Sequence, residues 1–194
     1  MTYLKLQNFF LVTRTALFYT PLEMDPLREK IRDIPDFPKK GVIFKDITPL
    51  LNDAKTFKKV ISIFLECYRN EKIDKVVAIE SRGFIFGSVL AYELNAGLCV
   101  VRKMGKLPYK TIKKSYDLEY GTDHLEIHED SIKAGERVLI VDDLLATGGT
   151  AEAVIHLVKE LGGTVAGLAF LIELQFLKGR EKLKGYDIYT MIQY

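Results

Sequence analysis

The stretch Val138-Leu139-Ile140-Val141-Asp142-Asp143-Leu144-Leu145-Ala146-Thr147-Gly148-Gly149-Thr150 places an apolar run, two adjacent acids and a turn of small residues in direct succession. The run 138–141 lacks polar alternation, as expected of a strand buried on both faces of a parallel sheet. Beyond the turn, Val154, Leu157, Val158 and Leu161 share one face of a helix predicted over 150–161, which Gly162-Gly163 stops. Ala146, Thr147, Gly148, Gly149 and Thr150 carry little bulk, so their backbone N–H groups can converge on a phosphate at the helix N-terminus, with two hydroxyls as further donors. Asp142 and Asp143 repel a phosphate but can accept hydrogen bonds from vicinal sugar hydroxyls or hold a hydrated divalent cation. A generic turn beside a solvated strand end would explain each part alone; the succession describes a ribose 5-phosphate site.

Working outward, 76–79, 98–101 and 165–172 are further short apolar runs, and helical patterns at 54–70 and 84–94 alternate with them. Phe57, Val60, Ile61, Phe64, Leu65 and Tyr68 form the stripe of the first of these helices, with Cys67 beside it. Alternation of this kind predicts an α/β fold with a central, mostly parallel sheet flanked by helices and right-handed crossovers, with ligands at the carboxyl ends of the strands. An earlier helix is expected with Asp25 as N-cap, Pro26 in its first turn, and Leu27, Ile31 and Ile34 following. Pro35, Pro38 and Gly41 then break the chain, and 37–44 reads as an irregular loop ending in an apolar patch. Over 103–133 the alternation fails and the residues suggest a long hairpin-like excursion, a length typical of functional lids.

The 194 residues suit a single domain at about 100 to 200 residues each. Hydrophobic residues at 48% and charged residues at 28% exclude collagen, coiled-coil and low-complexity architectures. With 28 basic and 26 acidic side chains, the net charge of +2 makes no global field for nucleic acid, so an anion site must be local. Two cysteines, Cys67 and Cys99, provide no disulfide framework and no four-thiolate zinc site, which fits a reducing, intracellular setting. Residues 1–23 are apolar and aromatic, with bases at Lys5 and Arg14 and a first acid at Glu23. The uncharged run 6–13 is far short of the roughly 18 apolar residues of a membrane span, so no membrane association is expected. Three readings of 1–23 stand: a dispensable or packing extension, an artefactual start upstream of Met24, and a transit peptide.

Other constellations are rejected. His124 and His128 are four apart but lack the intervening Glu of a zinc-protease helix, so no protein-held metal is expected. Gly162, Gly163 and Gly167 make no dinucleotide fingerprint, no Gly-rich loop ends in Gly-Lys-Ser/Thr, and spacing assembles no Ser-His-Asp or Cys-His set.

The strand, acid pair and Thr-Gly-Gly-Thr turn resemble the sugar-diphosphate motif of the type I phosphoribosyltransferases. The stretches Ile34-Pro35-Asp36-Phe37-Pro38, Gly41-Val42-Ile43-Phe44-Lys45-Asp46-Ile47 and Glu80-Ser81-Arg82-Gly83-Phe84 extend the likeness. So do Arg102-Lys103-Met104-Gly105-Lys106-Leu107-Pro108, Leu118-Glu119-Tyr120-Gly121 and Leu177-Lys178-Gly179-Arg180-Glu181-Lys182-Leu183. The resemblance runs from about Met24 onward, and the Phe-Pro loop and Leu-Glu-Tyr-Gly lid point to the adenine branch. It implies one phosphoribosyltransferase domain over 24–194, with a hood over 24–50 and a lid over 103–133.

The resemblance also implies roles. Asp142 and Asp143 would anchor the ribose hydroxyls, and Ala146 to Thr150 the 5-phosphate. Ser81 and Arg82 would form the diphosphate loop, with Arg102, Lys103 and Lys106 completing an anion clamp. Ile43 and Lys45 would contact adenine through the backbone, Phe44 would stack on it, and Leu174 would close the opposite face. Glu119 would be the general acid or base at adenine N7, with Tyr120 supporting closure of the lid. The implied reaction joins adenine to 5-phosphoribosyl 1-diphosphate with inversion at C1, Mg²⁺ riding on the sugar diphosphate, in a cytoplasmic homodimer of purine salvage. Lys45 stands where many relatives have Arg, and Tyr109 departs from a Gly-Pro that some carry. Two other readings remain: transfer to a 6-oxopurine, and a non-enzymatic sensor of the sugar diphosphate.

Overall fold

The computed structural model describes residues 21–118 and 121–194, and side chains over 24–115 and 124–194. Its centre is a seven-stranded sheet in the order β5-β6-β4-β3-β7-β8-β9. The strands are β3 (Lys75–Ile79), β4 (Gly97–Lys103), β5 (Thr111–Leu118), β6 (Gly121–His128), β7 (Arg137–Leu145), β8 (Thr164–Glu173) and β9 (Ile188–Gln193). Pairings from β4 through β9 are parallel, whereas β6 is antiparallel to both β4 and β5. The predicted excursion is therefore a hairpin that extends one edge of the sheet.

Helices α3 (Ala54–Tyr68), α4 (Gly83–Glu93) and α5 (Gly149–Glu160) cover the sheet. Along β7 the side chains alternate between two cores. Leu139 and Val141 join α3 and α4 residues such as Phe64, Phe86 and Leu90 on one face. Val138 and Ile140 join Val154, Leu157 and Val158 of α5 on the other. Burial on both faces is why β7 reads as a continuous apolar run. The Asp53 carboxylate caps α3 by accepting the N–H groups of Lys55 and Thr56, each at 3.0 Å. At its other end the Tyr68 hydroxyl donates to Leu168 O at 3.2 Å.

The N-terminal part departs from expectation. Helix α1 (Pro21–Arg28) starts before Asp25, so Asp25 is not its N-cap and Pro26 lies inside it. Pro21 supplies a first helical position of its own, where a missing N–H costs nothing. Ile34 belongs to β1 (Arg32–Pro35), not to that helix, and pairs antiparallel with β2 (Ile43–Asp46). The 37–44 segment is thus a hairpin turn running into a strand. Asp36 Oδ1 accepts the Gly41 N–H at 2.7 Å, and Gly41 has φ +86°, a conformation that glycine adopts without strain. The short helix α2 (Thr48–Asn52) follows.

The C-terminal β9 has no counterpart in the sequence reading. Its residues 188–192 are buried, a run too short for periodicity to separate strand from helix. Among the described residues no helix is long and apolar enough to cross a membrane.

Helix α4 approaches β3 closely at Gly87, where a Cβ would lie 2.5 Å from Ala78 Cβ. Gly87→Val is expected to destabilise the fold by about 1–3 kcal/mol, as overpacking does, which chemical denaturation would measure.

Candidate active site

From β3 the chain passes through α4 to β4 on one side, and from β7 through α5 to β8 on the other. The strand order therefore reverses between β3 and β7, and a crevice opens at their carboxyl ends. Both motif loops, 80–83 and 142–149, lie there.

At the end of β7, Gly148 takes φ +81° and caps α5. The first helical bond runs from Glu152 N–H to Gly148 O at 2.9 Å, so the amides of Gly149, Thr150 and Ala151 precede the helical ladder. They are oriented as a helix N-terminus orients donors toward an anion. A cavity of about 730 Å³ opens here, with Asp142, Ala146, Thr147, Gly148 and Thr150 on its wall. Gly149 is buried. The opposite wall comes from the turn between β1 and β2, through Pro38, Lys39 and Val42. Sequence reasoning assigned none of these three a role; the Phe-Pro dipeptide and Val42 lay within its motifs, yet the facing of the two loops is a tertiary fact.

The acid pair is divided in position. Asp142 lines the cavity, whereas Asp143 is buried and meets Arg82 Nε at 2.9 Å. Burial pushes the Asp142 carboxyl well above the usual range, and the adjacent Asp143 charge adds to this while Arg82 offsets part of it. Burial also raises Asp143, against the pull of Arg82. Arg82 further donates through Nη1 to Lys45 O at 3.3 Å and lies 4.9 Å from the Phe44 ring centroid. It thus ties the hood to the end of β7. Gly83 permits the approach: a Cβ there would sit 2.8 Å from Val141 O.

The hood residues are placed as follows. Ile43 is exposed and Phe44 half-buried, with the Phe37 ring edge-on to Phe44 at 5.2 Å. Lys45 pairs with Asp33 at 2.7 Å and lies over the Tyr194 ring at 3.7 Å. Leu174 is buried in the core, and its N–H donates to Leu145 O at 2.9 Å, which seats it beside the end of β7.

Arg102, the Lys103 backbone and Lys106 converge on an acid that the sequence reading left without a role. Glu80 accepts from Arg102 Nη2 at 3.3 Å, Lys103 N–H at 3.0 Å and Lys106 Nζ at 2.5 Å. Burial works against its charge, but these donors outweigh burial and hold its pKa at about 2. Glu126, buried in β6, accepts the N–H groups of Lys106 and Leu107, both at 2.9 Å, and so shapes the loop that carries Lys106. Ser81 is exposed at the start of the 80–83 loop. Glu119 and Tyr120 lie outside the described residues.

Residues 47–193 match the phosphoribosyl transferase domain family. The chain is 57% identical over 171 residues to adenine phosphoribosyltransferase of Syntrophotalea carbinolica, covering 88% of this chain and 100% of that protein. This chain belongs to the adenine phosphoribosyltransferases. Among crystal structures of the family, the Thermoanaerobacter pseudethanolicus enzyme superposes with TM-score 0.86 at 54% identity, over 88% of this chain and 99% of that one. The Saccharomyces cerevisiae enzyme, complexed with adenine and an imino-altritol bisphosphate, gives TM-score 0.81 at 42% identity, over 86% and 97% of the two chains. The fold is thus that of the type I phosphoribosyltransferases, with its sheet edge and hood as described.

Two electrostatic outcomes follow. The Glu80 pKa is lowered from 4.5 to about 2, so its stabilising contribution is complete above pH 4.5 and is lost as pH falls through about 2. Glu80→Gln should therefore lower Tm at pH 7, and its deficit against the parent should close over that acid range in a thermal denaturation series. For Asp142 the sign is opposite. A folded pKa raised above 3.8 makes the ionised carboxylate a cost to the folded state, relieved as pH falls toward 3.8. Asp142→Asn should raise Tm at pH 7, with a gain that narrows on acidification.

Proposed function

We propose that this chain is a purine salvage enzyme that transfers the 5-phosphoribosyl group from 5-phosphoribosyl 1-diphosphate to adenine, giving AMP and diphosphate. One observation carries the reading. The cavity at the carboxyl end of β7 joins the small-residue turn 146–148, Asp142 and the 38–42 turn of the hood in one chamber, whose volume of about 730 Å³ suits a phosphosugar and a flat base.

In this reading the 5-phosphate sits on the amides at the start of α5 with the hydroxyls of Thr147 and Thr150. Asp142 accepts from the ribose hydroxyls, and Asp143 acts beside it by holding Arg82. Diphosphate lies against Ser81, Arg82, Arg102, Lys103 and Lys106, which stabilise the negative charge that grows as the C1–O bond breaks. Adenine enters under the hood between Phe44 and Leu174, its edge read by the backbone of Ile43 and Lys45. N9 attacks C1 from the face opposite diphosphate, which inverts that carbon. Glu119 is the residue proposed to exchange a proton with N7 as the new bond forms, and Tyr120 to support closure.

Among the described residues one carboxylate lies on the cavity wall, Asp142, which suits a hydrated Mg²⁺ carried by substrate phosphates rather than a protein cage. When bound, the ion supplies charge neutralisation for the departing diphosphate. A homodimer and a cytoplasmic setting belong to the same proposal, supported by the family resemblance.

The test is product formation with 5-phosphoribosyl 1-diphosphate, Mg²⁺ and each of adenine, hypoxanthine and guanine. AMP from adenine alone is expected, with Glu119→Ala lowering kcat by about 10²- to 10⁴-fold. Nucleotide from a 6-oxopurine in preference to adenine would overturn the base assignment. Binding of the sugar diphosphate without any nucleotide product would leave a sensor.

A further inference from the structure

Behind the phosphate loop, two short 3-10 turns, Gln175–Leu177 and Gly179–Leu183, connect β8 to β9. They meet the loop without any side chain between. A Cβ on Gly148 would lie 2.5 Å from Gly179 O, and a Cβ on Gly179 would run into Ala146 O and come within 3.0 Å of Gly148 N. The Gly179 peptide is therefore the backing surface of residues 146–148, and its position sets theirs.

The next residue fixes that peptide. Arg180 Nε donates to both Glu173 oxygens at 2.8 and 2.9 Å, Nη2 to Thr190 Oγ1 at 2.9 Å, and Nη1 to Ile188 O at 3.2 Å. The Thr190 hydroxyl in turn donates to Glu173 Oε2 at 2.7 Å. Glu173 is 3% exposed and Thr190 fully buried. All three guanidinium nitrogens are thus used, and one side chain pins the turn to the ends of both β8 and β9. An ion pair whose carboxylate is buried is a poor source of net stability, because desolvation of that carboxylate offsets the attraction. What a planar fork provides here is direction: an ammonium could neutralise Glu173 but not reach three acceptors in fixed geometry.

We propose that Arg180 is a positioning residue for the phosphate loop, acting through the Gly179 peptide, and that the Arg180-Glu173-Thr190 network sets affinity for the phosphorylated sugar without touching it. The inference rests on the reading of 146–150 as the 5-phosphate site. A displaced backing surface would shift amides that must converge on one anion, and misplacement on the ångström scale is expensive for such contacts.

The test uses ribose 5-phosphate, which carries neither base nor diphosphate, in calorimetric titrations, together with steady-state kinetics. Arg180→Lys keeps the charge and loses the fork, while Gly179→Ala wedges turn from loop and leaves the network intact. Each is expected to weaken ribose 5-phosphate binding and raise KM for the sugar diphosphate by about tenfold or more, with KM for adenine changed less than about twofold. Thr147→Val and Thr150→Val serve as direct probes of the loop. If these weaken ribose 5-phosphate while both Arg180→Lys and Gly179→Ala bind it like the parent, the positioning role is wrong. If the threonine variants bind it unchanged, the loop reading fails and the inference with it. A loss spread equally over both substrates and over Tm would mark a general scaffold defect and would also overturn the proposal.

Discussion

Reversal of strand order between β3 and β7 is the constraint on which the site depends. Right-handed crossovers that leave in opposite directions place α4 and α5 on opposite faces of the sheet, each with its own apolar core. The carboxyl ends of the two central strands then open into a crevice. The 80–83 turn and the end of β7 meet there, Arg82 reaching Asp143 at 2.9 Å. Close approach at Gly83 and Gly87 keeps α4 tight against the sheet, so that Arg82 reaches Asp143 and the hood together.

The basic side chains of the site are held by acids of the same chain. Glu80 gathers the Arg102 and Lys106 side chains and accepts the Lys103 backbone N–H, and Asp143 holds Arg82. Such pairing keeps several like charges together at a strand end without mutual repulsion dispersing them. It also makes binding of an anion an exchange of partners, in which the anion competes with Glu80 and Asp143 for these cations. Asp142 is the counterexample. Its burial beside Asp143 disfavours its charge, a cost to stability at a position where a carboxylate facing the cavity is chemically useful.

Support for this arrangement comes from segments distant in sequence. The turn after β8 backs the phosphate loop through glycine-to-glycine contact, and Tyr194, just beyond β9, stacks against Lys45 of the hood and Arg28 of α1. The hood, the phosphate loop and the C-terminal strand therefore form one mechanical unit, although more than a hundred residues separate Lys45 from Tyr194.

Local chemistry made much of this legible beforehand. The run 138–141, the stripe of α3 and the small-residue turn before α5 depend on periodicity and on bulk, which a linear sequence displays, and so strand, helix and turn could be read from residues alone. Family likeness added the hood and the clamp. Other features depend on which segments meet. Asp25 and Ile34 were assigned to one helix because their spacing allowed it, yet cross-strand pairing of 32–35 with 43–46 drew Ile34 into a hairpin. Strand β9 was too short and too uniformly apolar for its period to speak. Glu80 as the hub of the clamp, Asp143 as the partner of Arg82, and Gly179 as the backing of Gly148 are contacts between residues far apart in the chain. By itself the sequence determined the elements and the chemical types at their ends; the tertiary structure decided their pairing, because charge neutralisation and close backbone approach are set by distance in space, which residue order does not encode.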